Sequence, residues 1–137
     1  MKTIEWEDLE LLIDKIEDEL KGNTQFKYIY GIPRGGLILA VMLSHRLDLE
    51  FIQKLPTNHT QDILDSILIV DDIIDKGDTV KEYMKKGFNN FVCLHYKPSS
   101  NIPVIFSPQI KTDEEWIVYP WEKQMDEERQ TTLDEFE

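Results

Sequence analysis

The sequence predicts an α/β domain built on a largely parallel sheet, and three observations lead there. Apolar runs of strand length alternate with segments of helical periodicity. Two strand-to-helix junctions are glycine turns, Ile32-Pro33-Arg34-Gly35-Gly36 and Lys76-Gly77-Asp78-Thr79. Between them the run Ile67–Val70, with its β-branched members, suits a buried strand.

In chain order, Leu9, Leu12, Ile13, Ile16 and Leu20 recur at helical spacing and predict an amphipathic helix that ends at Gly22 and covers one face of a sheet. Phe26–Gly31 reads as the first strand and runs through Pro33-Arg34-Gly35-Gly36 into a mostly buried helix, Leu37–Leu47. Asp48–Gln53 is a second strand. Lys54–Asp65 is polar, holds Pro56, Asn58 and His59, and reads as a loop ending in a helical turn. The strand Ile67–Val70 then delivers Asp71 and Asp72 to the carboxyl edge of the sheet, followed by Asp75 and the Lys76–Thr79 turn. Val80–Lys86 is a helix stopped by Gly87, and Asn90–Tyr96 is another strand. Ile102–Phe106, broken by Pro103, reads as an edge strand or lid, and Trp116–Glu122 as a last strand with its exit turn. Residues 1–122 thus form the domain, and 123–137 an acidic, mobile tail.

Composition narrows the function classes. At 137 residues, one domain is expected. No stretch is apolar and long enough to span a membrane, and the acidic beginning is the opposite of a signal peptide. The single cysteine, Cys93, sits in an apolar run, reads as core, and fits a cytoplasmic compartment. The net charge of −12 belongs to the two ends. Met1–Gly22 carries eight acids and three bases and Asp113–Glu137 ten and two, leaving nine acids against ten bases between them. An acidic surface argues against nonspecific nucleic-acid binding, while a near-neutral middle still admits a small anion.

The chemistry concentrates at the two glycine turns. A glycine turn entering a helix lets backbone N–H groups approach a phosphate, and Arg34 adds a cation at the first of them. At the second, the carboxylates of Asp71 and Asp72 suit a hydroxylated sugar or Mg²⁺. In open parallel sheets ligands collect at the carboxyl ends of the strands, where both turns fall. His45 reads as a surface or packing residue of its helix, and His59 as exposed and uncommitted.

The stretch Val70-Asp71-Asp72-Ile73-Ile74-Asp75-Lys76-Gly77-Asp78-Thr79 resembles the signature of the type I phosphoribosyltransferases, which bind phosphoribosyl pyrophosphate (PRPP). Pro33-Arg34-Gly35-Gly36 is similar to the family's pyrophosphate loop. Tyr96-Lys97-Pro98 and Glu115–Glu122 are similar to purine-site segments of the xanthine-guanine branch. The resemblance implies a mostly parallel twisted sheet flanked by helices, with a small hood and a shortened flexible loop. It implies transfer of the 5-phosphoribosyl group from PRPP to a 6-oxopurine with Mg²⁺, in purine salvage, by a homo-oligomer. Residue by residue, it implies that Asp71 and Asp72 meet the ribose hydroxyls directly or through Mg²⁺, and that Asp75 acts as acid/base near the purine N7. Lys76, Gly77, Asp78 and Thr79 would wrap the 5′-phosphate, and Arg34 and Gly35 would face the pyrophosphate. Lys97 would donate to the purine 6-oxo group, Trp116 would stack on the ring, and Ile117 would offer backbone groups to its 2-position.

Three features depart from the pattern: Lys76 where the family has threonine, Asp78 where it has a small or basic residue, and a loop of only Lys54–Asp65 without a Ser-Tyr pair. They motivate a competing expectation, a non-catalytic PRPP- or nucleotide-binding regulatory module of the same fold. In the tail, Gln130, Leu133 and Phe136 resemble a sliding-clamp-binding peptide, set against the plainer reading of a solvated acidic end.

Overall fold

The computed structural model describes residues 1–122. The acidic tail and its clamp-like residues Gln130, Leu133 and Phe136 lie outside the described residues. The chain divides into two compact units, one of Leu12–Thr112 and one of Met1–Leu11 with the chain from Asp113 onward.

The larger unit is a five-stranded sheet in the order β3-β2-β4-β5-β6. These strands are β2 (Tyr28–Gly31), β3 (Glu50–Phe51), β4 (Ile67–Ile74), β5 (Phe91–Tyr96) and β6 (Gln109–Ile110), and every pairing is parallel. The connections are α2 (Gly35–Leu47), α3 (Gln61–Asp65) and α4 (Asp78–Lys85). The smaller unit pairs β1 (Lys2–Thr3) in parallel with β7 (Ile117–Val118), and a 3-10 turn follows at Pro120–Glu122. Within it Tyr119 stacks on Trp121, 5.1 Å between ring centroids. The helix α1 (Trp6–Leu20) runs from the smaller unit into the larger. Among the described residues no helix is long and apolar enough to cross a membrane.

β4 has an apolar first half because the sheet is covered on both sides. Ile67 and Ile69 join Tyr30, Cys93, Leu64, Val80 and Phe88 in one core layer. On the α2 side, α2 lies over β2 and β4 and buries Leu39, Ala40 and Leu43. The α1 stripe Leu9, Leu12, Ile13, Ile16 and Leu20 is buried as its spacing predicts. Within the larger unit, the Arg46 guanidinium of α2 donates to Asp14 and, at 3.2 Å, to Glu17 of α1. Cys93 is fully buried, and burial pushes its thiol up to about 12, so it is core and not a nucleophile.

The structure revises several expectations. β4 does not stop at Val70 but continues through both aspartates to Ile74, because β5 offers a ladder partner at Cys93, His95 and Tyr96. Backbone pairing outweighs the low strand preference of aspartate here. Ile102–Phe106 is neither strand nor lid. Ile102 is buried, Phe106 makes one isolated bridge to Val92, and the edge strand is Gln109–Ile110. Pro103 has no N–H to give a ladder. α2 starts at Gly35 and not Leu37, and the second strand narrows to Glu50–Phe51. The β1–β7 pair went unforeseen, since two-residue strands show no periodicity.

Leu68 of β4 is fully buried, and Leu68→Ala is expected to lower unfolding free energy by about 3 kcal/mol. Urea denaturation followed by circular dichroism measures this, and a loss below about 1 kcal/mol would contradict the core assignment.

Candidate functional site

Where β4 turns into α4, the chain closes around a cavity of about 260 Å³ lined by Asp71, Ile73, Ile74, Asp75, Lys76, Gly77, Asp78, Thr79 and Val80. The signature stretch folds back on itself to make this cup. Gly77 caps α4 with φ +85°, a left-handed conformation open to glycine at little cost. A Cβ there would also stand 2.6 Å from Ile102 Cγ1. Ile102 thus buttresses the turn, and its carbonyl accepts the Tyr96 hydroxyl at 2.6 Å. Asp78, Thr79 and Val80 open α4, and the N–H groups of a first helical turn have no partner within the helix. They give the cup the partial positive field that suits an anion. Asp78 is not the helix cap; that position belongs to Gly77, and Asp78 is the first helical residue.

The other glycine turn, at Pro33–Gly36, closes against β4. The Pro33–Arg34 peptide is cis, and Arg34 is exposed at the N-terminal end of α2. A Cβ on Gly35 would collide with the Asp72 carboxylate, and one on Gly36 with the Val70 carbonyl. These two positions therefore require glycine for close approach. The structure thus sets Gly35 against Asp72, while Asp71 lines the cup.

Each aspartate is anchored by the backbone that follows it. The Asp72 N–H donates to Asp71 Oδ1 at 2.9 Å, and the Ile73 N–H to Asp72 Oδ1 at 2.7 Å. Burial, reinforced by the charge of Asp72, pushes the Asp71 carboxyl up to about 8. Beneath it, the hydroxyls of Tyr30 and Tyr83 lie 3.3 Å apart, and burial raises Tyr83 above the ordinary phenol range. Among the described residues no set of three or more His, Cys, Asp or Glu side chains gathers as a metal cage. The adjacent side chains of Asp71 and Asp72, whose desolvation and like charge raise the Asp71 carboxyl, suit a divalent cation that would relieve their repulsion and complete its shell with ligand oxygens and water.

At the end of β5, the Lys97 N–H donates to the Ile74 carbonyl at 2.9 Å. Its ammonium lies 3.4 Å from Asp75 Oδ1, with the lysine side chain 15% exposed and the aspartate 52%. The expected base-side pair is therefore brought together. Trp116 is 70% exposed and Ile117 is buried, both in the smaller unit. Sequence reasoning missed Ile102, Tyr30 and Tyr83. The apolar Ile102 beside Pro103 was the available signal; the tyrosine pair, far apart in the chain, left none.

A larger hollow, about 540 Å³, lies under the loop that follows β3, lined by Tyr28, Ile52, Lys54, Leu55, Pro56, Thr57, His59, Ile63 and Ile67. None of the expected site residues reaches it. Asp71 and Asp75 to Thr79 line the smaller cup instead.

The raised Asp71 carboxyl couples folding to pH. An unfolded aspartate titrates near 4, so the protonated side chain favours the folded chain. That contribution is complete below about pH 4 and is lost as pH rises through about 8. In metal-free buffer, Asp71→Asn is expected to raise the melting temperature by a few degrees at about pH 8.5 and to leave it unchanged at about pH 4. Calorimetric scans at both pH values measure this, and equal shifts would remove the electrostatic account.

No family model matches the chain. A xanthine-guanine phosphoribosyltransferase of Idiomarina loihiensis is 26% identical over 87% of this chain and 85% of its own length. Another of that name, from Nitratidesulfovibrio vulgaris, is 25% identical over 89% of this chain and 85% of its own. The solved purine phosphoribosyltransferase of Pyrococcus horikoshii superposes with a TM-score of 0.72 and 26% identity, covering 89% of this chain and 94% of that one. In fold, motif order and relatives the chain is similar to the type I phosphoribosyltransferases, on the side of their xanthine-guanine branch.

Proposed function

We propose that this chain is a purine phosphoribosyltransferase that joins the 5-phosphoribosyl group of PRPP to a 6-oxopurine, xanthine, guanine or hypoxanthine. The products are a nucleoside 5′-monophosphate and pyrophosphate. The observation that carries the reading is the cup of Asp71–Val80 at the carboxyl edge of the sheet, with a helix start and a Lys97–Asp75 pair beside it. The relatives named for this activity span nearly the whole chain and support it. They do not favour the non-catalytic alternative.

In this reading the α4 start and Thr79 take the 5′-phosphate, and Arg34 and Gly35 the pyrophosphate. Asp71 and Asp72 hold the ribose hydroxyls and the Mg²⁺ implied for the reaction, which when bound neutralises charge on the departing pyrophosphate. As the C1′–O bond of PRPP lengthens, the ribose gains oxocarbenium character, and carboxylates placed beside it lower the barrier. As the purine N9 bonds to C1′, the proton shed at N7 passes to Asp75. Lys97 donates to the 6-oxo group and disfavours a 6-amino purine, which would set a cation against a donor. Trp116 and Ile117, in the smaller unit, are the proposed ring and 2-position partners. The single buried thiol supports a cytoplasmic setting. A homo-oligomer belongs to the same reading.

Nucleotide formation from PRPP, Mg²⁺ and each purine base, followed by chromatography, tests the proposal. Turnover with a 6-oxopurine is expected; PRPP binding without turnover would move the chain to the regulatory class. Asp75→Asn is expected to lower kcat about 100-fold with little change in PRPP affinity. Lys97→Ala is expected to lower the guanine-over-adenine ratio of kcat/KM at least about tenfold. Wild-type rates and preferences in both variants would overturn the assignment.

A further inference from the structure

The cup proposed to hold the 5′-phosphate carries an unusual balance of charge. Its lining includes three carboxylates, Asp71, Asp75 and Asp78, against one ammonium, Lys76. Asp75 has the Lys97 ammonium 3.4 Å away. Asp78 is different. It is exposed, it stands at the first position of α4, and among the described residues neither it nor Lys76 forms an ion pair. An acid at the first turn of a helix is stabilised by the same partial positive field that would attract a phosphate. Asp78 therefore competes with the ligand for the α4 start and repels it across the same small cavity.

Resting on the phosphoribosyltransferase reading, we infer that Asp78 is a specificity-determining residue that weakens the hold on the 5′-phosphate, with Lys76 restoring part of it. The chain then grips PRPP mainly through its ribose and pyrophosphate. It releases the nucleoside 5′-monophosphate, whose only phosphate sits at the cup, with little hindrance. A unit charge a few ångströms from a phosphate at a solvated rim changes affinity by about tenfold.

Calorimetric titration of guanosine 5′-monophosphate and of guanosine into wild type, Asp78→Asn, Asp78→Glu and Lys76→Met isolates the phosphate's share. Asp78→Asn is expected to tighten the monophosphate about tenfold and to leave guanosine unchanged. Asp78→Glu, which keeps the charge, is expected to behave as wild type, and Lys76→Met to weaken the monophosphate alone. A monophosphate affinity in Asp78→Asn equal to or weaker than wild type overturns this inference alone. So does equal tightening of guanosine. If neither wild type nor Asp78→Asn binds the monophosphate, the phosphoribosyltransferase reading falls with it.

Discussion

The parallel ladder between β4 and β5 sets everything at this site. It pairs Asp71 with Cys93, Ile73 with His95 and Ile74 with Tyr96, and extends by the Lys97 N–H to the Ile74 carbonyl. Because the ladder runs past the hydrophobic part of β4, the aspartates ride on paired backbone and not on a free loop end. Side chains on paired strands are held with less freedom than side chains on loops. The same register carries Lys97, more than twenty residues further along the chain, to within 3.4 Å of Asp75. A register slip would turn these side chains to other faces and dissolve the pair.

Glycine supplies the second constraint. Gly35 and Gly36 let the first turn close against the Asp72 carboxylate and the Val70 carbonyl, and Gly77 turns left-handed where Ile102 leaves no room for a Cβ. The two turns are far apart in sequence; the first is pinned to β4 and the second to Ile102. The cup is thus shaped by close backbone contacts, and its polar lining is the start of α4, three carboxylates, the Lys76 ammonium and Thr79.

That economy has an electrostatic consequence. Crowding Asp71 beside Asp72 in a partly desolvated place raises the Asp71 carboxyl to about 8, a state that a cation or a ribose hydroxyl would relieve. At the other rim the Lys97 ammonium lies within ion-pair distance of Asp75. Asp78, at the helix start, has neither compensation, which makes it the residue that sets this cup apart.

Much of this was legible in the sequence, because local patterns have local causes. The α1 stripe, the buried run of β4, the glycine turns and the acidic tip follow from periodicity, β-branching and backbone freedom, and their order along the chain was enough for the family resemblance. What the sequence left open depends on which segments meet. Only the β5 partner decides that β4 continues through Asp71 and Asp72, and only packing on Gly77 decides that Ile102 is a buttress and not an edge strand. The pairing of Lys2–Thr3 with Ile117–Val118 joins the two ends of the described chain through so few residues that no local signal precedes it. Desolvation of Asp71 likewise belongs to the folded surroundings, since the same residue in an isolated strand would titrate as an ordinary carboxylate.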